Sequence, residues 1–430
     1  MPLPLFPRLA PFLLLLASAA AEPVATPSAG AKPAENSAEL SSAEAAMKKF
    51  TVAPGLQVDL WAAEPLLINP VAFSFDHLGR AFVAETGRRK TTVPDIRSLE
   101  SWETANMALR TVADRLAFLQ KQYPPDPTRK ATRSLPDRNG DGLFNLNDWA
   151  VEGERLKLIT DTNGDGRADQ ASVFAEGFKD VLTGVGAGVL AYGGNVFYTC
   201  VPDLWRLSGE KAGAARQREV MLTGFGPHIV FSGHDMHGPK IGPDGKLYWS
   251  IGDTGAHVKT KEGAVLDYSD TGAVFRSDLD GKNAEMFAFG LRNPQSLAFN
   301  DLGDLFTGDN NADGGDKARW THVVEGGDYG WRLGWQFLRK NDQQPQLGAW
   351  NSEGMWRLDV AKTNLSLLPP VAHIGHGPAG IAYYPGTGLP DSYREHFFLA
   401  DFPGGIRSFK LAPAGATYRV DQGGDFLQDN

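Results

Sequence analysis

Two imidazoles lie three residues apart in His234-Asp235-Met236-His237-Gly238. Histidine is the side chain that changes charge near neutral pH, so the pair can act as a general base or as metal ligands. A hydrogen-bonding turn accounts equally well for histidine in a Gly-rich loop. Further on, Gly290-Leu291-Arg292-Asn293-Pro294-Gln295 gathers a guanidinium and two amides, a set able to grip a carboxylated or polar ligand; an Arg paired structurally with a carboxylate is the alternative. Asp309, Asp313 and Asp316 follow among glycines, then Gly327-Asp328-Tyr329-Gly330-Trp331, and His373 and His376 precede Gly377-Pro378.

A second class of chemistry is written in two acidic loops. Asp137, Asn139 and Asp141 with Asn145 and Asp148 fall at calcium-loop positions 1, 3, 5, 9 and 12, with Gly142 at 6. Asp161, Asn163, Asp165 and Asp169 repeat the spacing between two apolar runs, so this loop joins strands. Ca²⁺ in a structural role is expected at one or both. Asn-Gly and Asp-Gly are also the commonest hairpin turns and explain the short motif without metal.

The elements that must carry these residues are strands. A Gly- or Pro-flanked apolar run, a polar turn ending in Gly and a second apolar run recur at 69–83, 187–198, 240–249, 293–306 and, with a longer turn, 380–400. The turn residues Gly194, Gly245 and Gly303 recur at intervals of 51 and 58 residues, the blade spacing of a propeller. The histidine and Arg-Asn-Pro-Gln segments enter successive units, which predicts that they meet at one face. Five units are clear; a sixth blade is left to the terminal segments or to a longer polypeptide. Leu99, Trp102, Leu109, Val112, Leu116 and Leu119 have helical spacing, ended by Pro124, Pro125 and Pro127, so residues 90–150 read as a largely helical insertion after the first blade.

Arg8, the apolar run Pro11 to Leu16 and Ala19-Ala20-Ala21 read as a cleaved signal peptide over 1–21, which predicts export to a periplasmic or extracellular compartment. Residues 22–47, rich in Ala, Pro, Ser and Glu, read as a disordered leader ahead of a propeller over 48–430. The formal charge of −9, with no basic run longer than Arg88-Arg89-Lys90, argues against a nucleic-acid partner. A single cysteine, Cys200, rules out a disulfide and a C-x-x-C-H haem attachment within the 430 residues.

Read in order, the entry histidine, Ile241-Gly242-Pro243-Asp244-Gly245-Lys246-Leu247-Tyr248, Ile251-Gly252-Asp253, Gly290 to Gln295, Gly314-Gly315-Asp316, Asp328-Tyr329-Gly330-Trp331 and Gly380-Ile381-Ala382-Tyr383-Tyr384 resemble the soluble glucose/sorbosone (aldose sugar) dehydrogenase family. The insertion and acidic loops make the chain similar to the membrane-bound-dehydrogenase propeller proteins of planctomycetes and verrucomicrobia. The resemblance implies an all-β, six-bladed β-propeller that binds pyrroloquinoline quinone (PQQ) and Ca²⁺ on one face and oxidises a sugar or polyol, with electrons leaving to a c-type cytochrome domain or partner. It implies His234 as the base and Arg292 as the residue orienting substrate or cofactor. It places Asn293, Gln295 and Arg407 at the cofactor, and His237, Asp253 and His376 at the substrate. A non-catalytic carbohydrate- or protein-binding propeller and a calcium-dependent lactonase are the alternative readings.

Overall fold

A computed structural model describes residues 43–132, 136–336, 348–357 and 367–429. The expected signal peptide and all but the last few residues of the leader lie outside the described residues. Residues 43–47, expected to be disordered, form a short helical turn.

Local chemistry builds the hairpins. Asn300 Oδ1 accepts the N–H groups of Leu302 and Asp304, and Gly303 takes φ +84°, a left-handed conformation glycine adopts without steric cost. Asp76 with Gly79 and Asp244 with Gly245 repeat the device. Each such turn folds an inner strand back on a second strand, and antiparallel sheets result. The first comprises Pro70–Phe75, Ala81–Glu85, Glu154–Thr160 and Gln170–Phe178. Gly188–Tyr192, Asn195–Cys200, Asp203–Ser208 and Gln217–Thr223 form the second. Met236–Ile241, Leu247–Ile251, Gly272–Ser277 and Glu285–Leu291 form the third, with a ribbon, Ala256–Lys259 and Val265–Tyr268, between its second and third strands. The fourth has three strands, Ala298–Phe299, Leu305–Asp309 and Arg319–Val323. Gly377–Tyr384, His396–Phe402, Gly405–Ala414 and Thr417–Asp429 make the fifth, with Phe50–Val52 added beyond its last strand.

These are the blades of an all-β propeller, and the five repeats read in the sequence are their first two strands. Neighbouring blades share aromatic layers: Phe82 and Phe174 with Tyr198, Phe197 with Trp249 and Phe275, Tyr248 with Leu305, and Phe306 and Trp320 with Phe397 and Phe409. A sixth blade is not among the described residues, and Phe73 and Phe75 on the first blade are exposed.

The insertion is helical as expected, with Glu103–Met107 and Val112–Gln122, the latter opened by a capping box between Thr111 and Asp114. Its place differs from the expectation. It leaves between the second and third strands of the first blade, not after that blade. The signature repeat marks only the inner two strands of each blade, so the strand pair from Glu154, although joined by the Asp161–Gly166 turn, is not tied to the first blade by any local motif. The insertion packs Trp102, Phe118, Phe144 and Trp149 against Ile229. Asn106 fixes that contact: its Nδ2 donates to Ile229 O and its Oδ1 accepts from Ile229 N, both at 2.8 Å and both buried. Asn106→Leu leaves a buried N–H and C=O unpaired at Ile229, and the expected loss is about 1–3 kcal/mol in urea denaturation; a loss below about 0.5 kcal/mol would show that the clamp is replaceable.

Candidate active site

The loops that enter the inner strands surround a basin of about 820 Å³. The second strand of a blade supplies the device that holds its entry loop. In the fourth blade, Asp309 at the strand end is fully buried; its Oδ1 accepts the N–H groups of Arg292 and Asn293 at 2.9 and 2.7 Å, and its Oδ2 accepts from Arg319 Nη2 at 2.5 Å. The fifth blade repeats this with Asp401, whose Oδ1 accepts from His376 and Gly377 N–H and whose Oδ2 accepts from Arg407 Nε at 3.0 Å. A carboxylate taking two successive N–H groups and a guanidinium fixes both the loop and the strand behind it.

The third blade uses the same position differently. Asp253, 1% exposed, accepts from Trp331 Nε1 at 3.0 Å on Oδ2, and its Oδ1 lies 2.7 Å from His234 Nδ1. The carboxylate accepts, so Nδ1 carries the proton and Nε2 keeps the lone pair. Burial, with Arg292 adding to it, holds the His234 imidazole below its ordinary pKa against the pull of Asp253. A neutral imidazole with a fixed tautomer is a general base. Its ring lies 5.6 Å from that of Phe231, which also carries Arg97 at 4.4 Å and Arg292 at 4.9 Å.

Arg292 is 2% exposed and lines the basin. Nη1 donates to Asn311 O at 2.5 Å, Nε reaches Gln336 Oε1 at 3.4 Å, and Nη2 is buried without a partner. A buried guanidinium N–H left open costs free energy unless a ligand satisfies it, which marks a place for an anionic or carbonyl oxygen. Asn293 donates to Asn310 Oδ1 at 2.8 Å, and its own Oδ1 is 3.2 Å from His237 Nε2.

The structure therefore brings His234, His237, Arg292, Asn293, Gln295 and His376 to one basin. Asp253 lies behind His234 rather than on the basin wall, so it orients the imidazole and is not placed to touch a ligand in the basin. Arg407 is not on this wall. It pairs with Asp401, as Arg319 does with Asp309, and lines a neighbouring cavity of about 520 Å³. This differs from the cofactor contact the resemblance implies, because the register of the fifth blade turns Arg407 to the Asp401 carboxylate.

The two acidic loops are closed by their own hydrogen bonds. Asp137 accepts from Gly140, Asp141 and Gly142, and Asp161 from Gly164 and Gly166. Asn139 and Asn163 each accept the N–H two residues on, from Asp141 and Asp165, and Asp169 takes Thr162. Asp148, fully buried, spends both oxygens on the N–H groups of Arg138, Asn139 and Asn145, because it caps the turn Leu146–Ala150. Among the described residues no group of three or more His, Cys, Asp or Glu side chains is placed to hold a metal ion. These hydrogen bonds account for the shape of both loops without an ion. The basin does fit a carboxylated quinone, on the strength of the buried, unpartnered Arg292 Nη2.

Sequence reading singles out Asp309 and Trp331 without their partners and does not single out Phe231. Signals for two were present: Gly252-Asp253, Gly308-Asp309 and Ala400-Asp401 recur at the ends of second strands, and Trp331 sat in a motif without an assigned partner.

Burial also sets the pH response. His237 is pushed down to about 4 by burial and by His234, while Asp235, whose carboxylate accepts Val185 N–H, is pushed up to about 6. The histidine binds fewer protons folded than unfolded, so its contribution is complete above pH 6.5 and is lost as pH falls toward about 4. The aspartate is opposite: its contribution is present below 3.8 and is lost as pH rises through about 6. The two slopes oppose each other, and Asp235→Asn removes one. Its urea midpoint should fall more steeply than the parent's as pH drops from 6.5 toward 4; parallel profiles would refute the opposition.

The chain is similar to several known proteins. Over 117 residues the chain is 32% identical to quinoprotein glucose dehydrogenase B of Acinetobacter calcoaceticus, a stretch covering 21% of this chain and 24% of the relative's length. The resemblance read from the motifs is thus borne out, although the match spans about a quarter of that relative. The PQQ-bound form of aldose sugar dehydrogenase from Streptomyces coelicolor aligns at TM-score 0.42 with 15% identity, covering 86% of this chain and 84% of that one. The holo form of the pyranose dehydrogenase PQQ domain from Coprinopsis cinerea aligns at 0.47 with 11% identity, over 88% and 86%. One family model spans nearly everything described above, helical insertion included, and residues 42–430 of this chain belong to that family, described as "Domain of unknown function (DUF7133)".

Proposed function

We propose that this chain is an exported sugar or polyol dehydrogenase domain that uses a quinone cofactor and passes electrons to a cytochrome. The observation that carries the reading is the buried His234–Asp253 pair beside Arg292, which lines the basin and keeps a buried Nη2 without a partner. The similarity to a quinoprotein glucose dehydrogenase supports the cofactor class. Bound in the basin, the quinone supplies a two-electron acceptor for the hydride of the carbinol carbon. Arg292, Asn293 and Gln295 would hold it. His234 Nε2 takes the hydroxyl proton as the C–H bond breaks, so both reacting hydrogens have a destination. Asp253 keeps the imidazole in the required tautomer and stabilises the cation that forms. Phe231 shields the base and Arg292 from water on one side.

The test is to incubate the purified chain with PQQ and Ca²⁺ and to follow dye reduction across a panel of aldoses and polyols. Turnover with at least one, accompanied by quinone uptake in the absorbance spectrum, is expected. No reduction with any sugar and no uptake overturns the proposal and favours a propeller that binds carbohydrate without oxidising it.

A further inference from the structure

The basin's charge is out of keeping with the rest of the chain. Against a formal charge of −9, its lining carries Arg89, Lys90, Arg97 and Arg292 but only one carboxylate, Asp313. Arg97 is neutralised by Asp95, with Nη2 2.6 Å from Oδ2 and Nε 2.9 Å from Oδ1. Arg292 makes no ion pair among the described residues and is the residue assigned above to the cofactor. Arg89 and Lys90 come from a different blade, at the start of the insertion. They are exposed on the basin wall, and no carboxylate of the described residues pairs with either.

Their neighbour shows that this is a placement and not a generally basic segment. Arg88 is fully buried and donates to the carbonyls of Thr183, Glu152 and Asp180. Its anchoring, with Lys90 in the left-handed region at φ +63°, fixes the path of the chain at the basin. Two free cations held on the wall of a concave site, in a chain whose net charge otherwise repels anions, select for a negative charge on the ligand.

We propose that the substrate is a sugar acid, a uronate or aldonate, whose carboxylate is met by Arg89 and Lys90. The inference rests on the dehydrogenase reading for the reaction, whereas its test is a binding measurement that needs neither cofactor nor turnover.

Galacturonate and galactose are titrated calorimetrically into the purified chain, and into Arg89→Gln/Lys90→Asn, the asparagine chosen because it tolerates the left-handed backbone. Galacturonate should bind roughly fivefold to tenfold more tightly than galactose, and raising salt from about 0.05 to 0.3 M should weaken only the former. In the double variant galacturonate should fall to the galactose level, with galactose unchanged and the far-UV spectrum native. Equal affinities in the parent, an undiminished galacturonate affinity in the variant, or no heat with either sugar overturns the proposal. Dehydrogenase activity confined to neutral sugars would overturn it while leaving the dehydrogenase reading intact.

Discussion

His234→Ala should lower the turnover of the quinone-loaded chain by about 10²–10⁴-fold while leaving quinone uptake in place, because removal of a general base affects the proton transfer and not the cofactor's contacts. The parent's kcat/KM should rise with pH through the His234 pKa, which burial holds below 6.5, and then level off. Asp253→Asn is the sharper variant. Without its carboxylate the imidazole loses the interaction that raises its pKa, so the acid limb should move to lower pH. An asparagine can also present its NH₂ to Nδ1, which favours the tautomer with no lone pair at Nε2, and the plateau should fall. A purely structural Asp253 would lower activity with the acid limb unmoved. Wild-type turnover by His234→Ala would remove the base assignment altogether.

Asp309→Ala should destabilise the fold by about 3–5 kcal/mol in urea denaturation, the range for stripping one partner from a buried ion pair. Arg319 is 2% exposed, with Nη1 bound to Tyr329 O at 2.6 Å and its guanidinium 4.8 Å from the Trp350 ring centre; it has no route to water once the carboxylate is gone. The same change releases Arg292 and Asn293 N–H, so quinone uptake should weaken in parallel. Asp401→Ala removes the equivalent carboxylate from the fifth blade. There Arg407 is about a third exposed and lies 3.6 Å from Asp425, so the loss should be clearly smaller. Equal losses at the two positions, or a loss below about 1 kcal/mol at Asp309, would show that burial of the partner does not decide the cost.

The two acids also show how far sequence could reach. Hairpins were legible because their determinants are local: Asn300 to Asp304 contains the acceptor, the left-handed glycine and both donors. The repeat was legible because every blade needs an apolar inner strand, a tight turn and a second apolar strand. The meeting of His234 with Arg292 followed from their equivalent places in successive units. The seating of the insertion inside the first blade was not legible, because the strand pair beginning at Glu154, joined at the Asp161–Gly166 turn, has no entry motif that ties it to the first two strands. In the acidic loops ligand spacing and turn-forming spacing coincide, so sequence alone does not separate the two.

What the sequence determined by itself was the set of short-range outcomes, namely strands, Asp-Gly and Asn-Gly turns, the capped helix and the face on which polar entry residues gather. Tertiary structure alone decided how each charge is used. Arg88, Arg89 and Lys90 are consecutive, yet the first is buried on three carbonyls and the other two face the basin. Asp253, Asp309 and Asp401 occupy one position in three blades, yet the first meets an imidazole and the others meet guanidiniums. The physical reason is that a buried charge is defined by partners brought together through space: Trp331 reaches Asp253 across 78 residues, and Thr183 reaches Arg88 across 95. Strand register and blade packing set those encounters, and no window of sequence contains them.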